Sequence, residues 1–351
     1  MNVYSVETLK SFIQMVLGSQ DVPMDHGKVV ADSLLRADLE GVKSHGISRL
    51  PIYTKRLMEG RINPNPTITT ISNGLSTITV NGDNGLGQIV SYHGIQKGIK
   101  TAKQTGVAAI AIRNSNHFGC ASYYCQKACD SNLASIILTN SPPGIPPWGG
   151  KKAFFGTNPI AFGFPVKNGP NVIIDMSASI VARGKIIEAA KEGKKILKGW
   201  AIDINGDDTE DPMEALNGAV LPMGGVKGFG LALAVEVLSG ILTGAAYGPH
   251  VNNIYQEQNQ SSNVGHFFLL IDIGKFMPLE QFTGILEKML SEMKEIPKKQ
   301  GVHTLLYPGE RRERSYRKHV ISGIVFSTEV EQELISLGKQ LHIKFPTPRL
   351  V

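Results

Sequence analysis

The chain has 351 residues, of which 42% are hydrophobic and 19% charged, with 38 glycines and a formal net charge of +6. This length and apolar content suit one large globular unit or two medium ones, and they exclude a disordered chain. A modest positive excess fits an anionic small molecule or nucleic acid, but the sequence matches no nucleic-acid-binding module, and the densest basic run (Arg311, Arg312, Arg314, Arg317, Lys318) reads as a solvated surface.

The N-terminal residues lack a basic segment followed by an apolar one, so no secretion signal is expected. Two amphipathic helices come first, one with Leu9, Phe12, Ile13 and Val16 on one face, the next marked by Val29, Val30, Leu34 and Leu35. Residues 67–80 alternate polar and apolar around Asn73-Gly74, which predicts a two-residue type I′ hairpin. A helix over 86–104, a strand over 107–112, a helix ending near Asp130 and a strand over 134–138 follow, with further strands at 160–165, 172–174 and 266–271. Helical patterns cover 179–191, 227–243, 279–293 and 329–341. The window Phe229–Tyr247 is long and apolar enough to suggest a membrane span, but Glu236 at its centre argues for a buried helix instead. Alternating strands and helices predict an α/β sheet covered on both faces. Residues 1–75 and 285–351 are expected to form a helical subdomain around an α/β domain at 76–284. The Asn/Gln-rich stretch 252–263 is expected to be a surface loop or lid.

Three cysteines, Cys120, Cys125 and Cys129, follow His117 at a spacing that matches no zinc pattern; they are expected to be reduced core residues and not metal ligands. A Rossmann glycine fingerprint is missing. Gly85-Leu-Gly87-Gln lacks the third glycine and no apolar strand closely precedes it, and the turn from Gly225 to Gly230 is not a P-loop.

Three constellations carry the chemistry. In Ser44-His45-Gly46-Ile47-Ser48-Arg49, with Tyr53 beyond, an imidazole able to exchange a proton near neutral pH lies four residues before a guanidinium able to grip a carboxylate. Taken by themselves, the same residues better suit a capping serine and a structural histidine. Arg113 to Gly119 places His117 where a strand ends, the usual edge for ligands in an open α/β sheet. Turns at 139–143, 155–159, 175–177 and 221–228 offer backbone N–H groups as anion nests, with Lys227 to neutralise a phosphate.

Taken in order, Ser44–Leu50, Gly60–Pro64, Gly85–Gln88, Arg113–Gly119, Phe155–Pro159, Asp175–Ser179, Ala182–Lys185, Leu221–Leu231 and Tyr307–Glu310 span nearly the whole chain. This combination resembles the malate/L-lactate dehydrogenase family, which also holds sulfolactate, ureidoglycolate and 2,3-diketogulonate dehydrogenases and cyclic imine reductases. The resemblance implies a mixed α/β fold with a non-Rossmann cofactor site and NAD or NADP in a cleft shared by two subunits of a cytoplasmic homodimer. It implies that His45, or His117 in other members, exchanges the substrate proton, with Ser44, Arg49 and Tyr53 orienting the substrate. Ser141, Asp175, Met176, Ser177 and Lys227 would line the cofactor with Pro308, Gly309 and Glu310 nearby, and Asn158 joins them from its place on a matched turn. The implied reaction is hydride transfer between nicotinamide and a small 2-hydroxy or 2-oxo acid. The turn Pro142–Trp148 lies where members differ and is expected to shape the substrate pocket.

Overall fold

The structure is a computed structural model describing residues 2–72, 74–255 and 261–349. Strand β1 (Val3–Tyr4) leads into helices α1 (Val6–Gly18) and α2 (Met24–Leu39). Ser5 caps α1 by accepting the Thr8 N–H, and the predicted apolar face of α1 (Leu9, Phe12, Ile13, Val16) is fully buried. Helix α3 (Leu50–Met58) adds to the expected elements; it is only nine residues long, and Thr54 and Arg56 are buried beside Leu50, Tyr53 and Leu57, which blurs its apolar face.

Strands β2 (Thr69–Ser72) and β3 (Thr77–Asn81) form the expected hairpin, but residues 73–76 connect them. A four-residue connection replaces the predicted two-residue turn; Asn73 itself lies outside the described residues. Then come α4 (Gly87–Thr105), β4 (Val107–Ser115), α5 (Ala121–Cys129), β5 (Leu133–Thr139), β6 (Ile160–Phe164) and β7 (Val172–Met176). A small lobe follows: α6 (Arg183–Glu192), β8 (Ala201–Ile202), β9 (Asp208–Thr209), α7 (Pro212–Asn217) and β10 (Ala219–Val220). Helix α8 (Val226–Glu236) passes into a π turn over Val237–Ile241, so the predicted helix over 227–243 changes its winding directly after Glu236. The chain ends with β11 (Val264–Asp272), α9 (Leu279–Glu295), α10 (Glu310–Ser322), β12 (Ile324–Val325) and α11 (Thr328–Gln340).

The central sheet has seven strands in the order β2-β3-β4-β11-β5-β6-β7. Only β3 and β4 run parallel, joined by α4; every other neighbouring pair is antiparallel. A mixed sheet of this kind differs from the parallel doubly wound sheet of a Rossmann domain. One face is covered by α4 and α5, whose Val90, Ile95, Tyr124 and Cys125 pack on Ile110, Ile112, Ile137 and Phe268. On the other, Val235 of α8 packs against Leu138 and Ile160.

A second core joins both ends of the chain, with α1, α2 and α3 packing on Ile324, Phe326, Leu334 and Leu337. Helix α9 instead places Leu290 beside Val172 and Tyr307 at the β7 edge. Among the described residues, no helix is long and apolar enough to cross a membrane.

Candidate active site

The histidine turn grows from the end of α2. Two short 3-10 turns, Lys43–His45 and Ile47–Arg49, meet at Gly46. Gly46 has an extended backbone, so its φ does not demand glycine; space does. A Cβ there would lie 2.0 Å from Asp38 Oδ1, while Asp38 Oδ2 accepts the Ile47 N–H at 2.7 Å. Asp38 is buried, and that burial pushes its carboxyl up to about 7 against the opposing Ile47 N–H and Lys43. Ser44 Oγ lies 2.9 Å from His45 Nδ1, and Arg49 Nε donates to the Ser44 carbonyl at 2.6 Å. The Arg49 guanidinium stands 5.6 Å from the centre of the Tyr255 ring.

His117 approaches from the other side, just beyond β4, and its ring centre is 5.5 Å from that of His45. Tyr53 Oη lies 2.6 Å from His117 Nδ1 and accepts a hydrogen bond from Gln88 Nε2 at 3.1 Å. Gly87 makes this possible, because a Cβ there would meet the Asn116 carbonyl at 2.1 Å and the His117 carbonyl at 2.5 Å. No apolar strand is expected close ahead of Gly85-Leu-Gly87; β3, the second arm of the expected hairpin, ends six residues before α4 begins, with polar residues alternating through its Thr-Ile-Thr-Val-Asn run.

The electrostatics keep both imidazoles neutral. Burial and the adjacent Arg49 lower His45 to about 4, with Asp175 pulling the other way. Burial, then His45, Arg49 and His266, hold His117 well below its ordinary value. Burial raises the Tyr53 hydroxyl to about 12. His266, fully buried on β11, stacks on Phe118 with ring centres 4.5 Å apart and lies within hydrogen-bond distance of Thr139 and Ser115.

The four glycine and polar turns interlock beside this cluster. Ser141 Oγ accepts the Thr157 N–H at 3.1 Å, and Ala178 donates to the Thr157 carbonyl at 2.8 Å. Ile180 and Met223 then tie residues 177–180 to 221–223 through backbone bonds of 2.8 and 2.9 Å. Ser177 Oγ bonds within its own turn to Ser179 Oγ at 2.8 Å, and Met176 is exposed at the end of β7. Lys227 is exposed in the first turn of α8. Just before it, Gly224 and Gly225 both have positive φ; a Cβ on Gly224 would meet nothing within 4 Å, and the Trp148 ring stands over Gly225. An open helix N-terminus with two glycines and a lysine suits an anion such as a pyrophosphate.

Asn158 faces inward, fully buried, and donates to Ala232 C=O and Glu236 Oε2, each at 2.8 Å. It braces the wall from behind. Pro308 accepts from Ile173 N–H at 3.0 Å, and Gly309, at φ 110°, fits where a Cβ would strike the Asn171 carbonyl. The Glu310 carboxylate is engaged by Lys294 and by the Tyr307 N–H. Residues 308–310 therefore lock onto β7, the strand carrying Asp175 and Met176.

Arg312 corrects the reading of the basic run as wholly solvated. Helical periodicity in α10 turns Arg311, Arg314, Arg317 and Lys318 outward but points Arg312 in, where it contacts Asp175 at 3.2 Å, Ser122 Oγ at 2.7 Å and Glu40 at 3.4 Å. Recognising a helix over 310–322 would have revealed it; with Tyr316, Val320 and Ile321 as its only large apolar side chains, the segment shows no apolar face. Cys120, Cys125 and Cys129 are buried thiols.

The family model for malate/L-lactate dehydrogenase matches residues 4–335. A malate dehydrogenase of Pyrococcus horikoshii is 39% identical over 346 residues, covering 96% of this chain and 95% of that protein. An NAD+-dependent ureidoglycolate dehydrogenase of Escherichia coli is 33% identical, covering 95% of each. The solved sulfolactate dehydrogenase of Methanocaldococcus jannaschii superposes with a TM-score of 0.91 at 38% identity, over 98% of both chains. With its mixed sheet, its paired histidines and matches along almost its whole length, this chain belongs to the malate/L-lactate dehydrogenase family.

Proposed function

We propose that the chain is an NAD(P)-dependent dehydrogenase that interconverts a small 2-hydroxy acid, of the malate, lactate or sulfolactate type, with its 2-oxo acid. The observation that carries the reading is the convergence of His45, His117, Tyr53 and Arg49, with the two imidazoles neutral and 5.5 Å apart. Bound nicotinamide supplies the hydride donor or acceptor. The interlocked turns through Ser141, Asp175, Met176, Ser177 and Lys227, backed by Asn158 and by Pro308-Gly309-Glu310, would hold the dinucleotide, with the open α8 N-terminus suited to its phosphates.

Arg49 pairs with the substrate carboxylate, and Ser44 and Tyr53 orient the two rings. A neutral imidazole takes the hydroxyl proton during oxidation or, in the reverse direction, returns it. Trp148, exposed above Gly225, marks the variable turn as the wall that selects the substrate.

Val226, Leu233, Val237, Ile241 and Leu242 expose an apolar stripe along α8 and the π turn. A second copy packing there would form the expected homodimer and complete the cofactor cleft. Residues 1–75 with 285–351 would form one structural unit and 76–284 the other, a division supported by the core shared between α1–α3 and α11. The buried free thiols suit the reducing cytoplasm.

The test is loss of NADH or NADPH absorbance with oxaloacetate, pyruvate, sulfopyruvate and a cyclic imine acid, and its gain with ureidoglycolate and the oxidised cofactor, each at fixed cofactor. Turnover is expected with a 2-oxo acid and falls at least about 100-fold in His45→Ala, with dinucleotide binding retained. Silence with every substrate overturns the proposal, and turnover confined to the imine or to ureidoglycolate moves the chain to another branch of the family.

A further inference from the structure

Gln88 opens α4 and is fully buried at the floor of the candidate site. Its amide nitrogen donates to Tyr53 Oη at 3.1 Å, and the same oxygen lies 2.6 Å from His117 Nδ1. Its carbonyl oxygen has no hydrogen-bond partner among the described residues. A buried glutamine with one satisfied end is costly unless the satisfied end matters.

We propose that Gln88 is a positioning residue: by donating to Tyr53 it turns the Tyr53 proton onto His117 Nδ1 and holds that imidazole in its Nε2–H form. Tyr53 has one proton to give, and with its oxygen already accepting from Gln88, the short contact to Nδ1 is where that proton goes. A neutral ring that accepts at Nδ1 must carry its hydrogen on Nε2. The tyrosine stays protonated because burial raises its hydroxyl to about 12.

The other groups facing His117 act in the same direction. His45 and Arg49 from the histidine turn and His266 from β11 all oppose an imidazolium. Resting on the dehydrogenase reading, this divides the labour between the histidines. His117 polarises the substrate oxygen with an uncharged N–H, and the exchanged proton falls to His45. The Gly87-Gln88 pair then has a single meaning: the glycine lets α4 touch the His117 backbone, and the glutamine sets the ring.

The test is ring-nitrogen NMR on 15N-histidine protein, with the His117 signal identified by its loss in His117→Asn. The native protein is expected to show His117 as Nε2–H and neutral well below the ordinary histidine range. In Gln88→Glu a carboxylate accepts the Tyr53 proton, so Tyr53 must accept from Nδ1–H; the tautomer is expected to reverse and the His117 pKa to rise by a unit or more. If that variant does not fold, Gln88→Met, of similar size but without a donor, is expected to give a mixture of tautomers. A native ring already in the Nδ1–H form overturns the proposal, as does an unchanged tautomer in whichever variant folds. Because the readout does not need turnover, a chain inactive on every 2-oxo acid leaves this result decisive in its own right.

Discussion

Replacing Glu236 with alanine isolates the scaffold behind the turns proposed to hold the cofactor. Glu236 is buried at the end of α8, with Oε1 accepting from Gly248 N–H at 2.8 Å and Asn140 Nδ2 at 3.1 Å, and Oε2 accepting from Asn158 Nδ2 at 2.8 Å. The two amides each keep a second acceptor, the carbonyls of Ala246 and Ala232. Gly248 loses the acceptor that Glu236 supplies. An orphaned buried N–H costs about 1–3 kcal/mol and each weakened amide about 0.5–1.5 kcal/mol, so Glu236→Ala is expected to lose about 4 kcal/mol. Glutamine keeps the Oε1 pair and sets its NH2 against Asn158, so Glu236→Gln should lose about 2 kcal/mol. Urea unfolding followed by Trp148 and Trp200 fluorescence measures both. If alanine costs under 1 kcal/mol, or glutamine costs as much as alanine, the hydrogen-bond accounting is wrong.

Gly46→Ala places a Cβ against the Asp38 carboxylate and should lower kcat/KM at least about 10-fold with the circular dichroism unchanged; a fully active variant refutes the tight turn. His266 is held neutral by burial down to about pH 3, so the unfolded chain binds the extra proton below its ordinary value of 6.5. The stability His266 contributes is therefore present above pH 6.5 and lost as pH falls toward 3, and His266→Asn should remove about 1.4 kcal/mol per pH unit from the acid slope in denaturant titrations. Burial raises all three cysteine thiols above their ordinary value; a thiol reagent at pH 8 should label none in the folded protein and three in urea, and rapid native labelling contradicts their burial.

Strong local signals were legible in the sequence. The buried faces of α1 and α2 and the apolar runs of β4, β5 and β11 carry periodicities that owe little to distant partners. The histidine turn was readable because an imidazole and a guanidinium four residues apart are chemically conspicuous. What escaped depends on residues far away in the chain. Arg312 is turned inward by Asp175, 137 residues distant, and Gln88 matters only because Tyr53 sits 35 residues upstream. The role of Glu236 is similar: the sequence marked it as too polar for a membrane, while its hydrogen-bonded partners begin 96 residues earlier. The hairpin itself was legible and only its turn was not, since Asn-Gly favours a two-residue connection and the pairing of Ser72 with Ile78 leaves a longer one.

The position of β11 has a consequence for how the chain is born. Strands β4 and β5 are made early but do not touch; β11, beginning at Val264, wedges between them. A growing polypeptide shorter than about 270 residues thus holds two half-sheets with unsatisfied edges facing each other. Closure must wait for a late segment that brings His266 into the interior as it docks, making the last central strand the slow, aggregation-exposed step of assembly and a natural point for chaperone dependence.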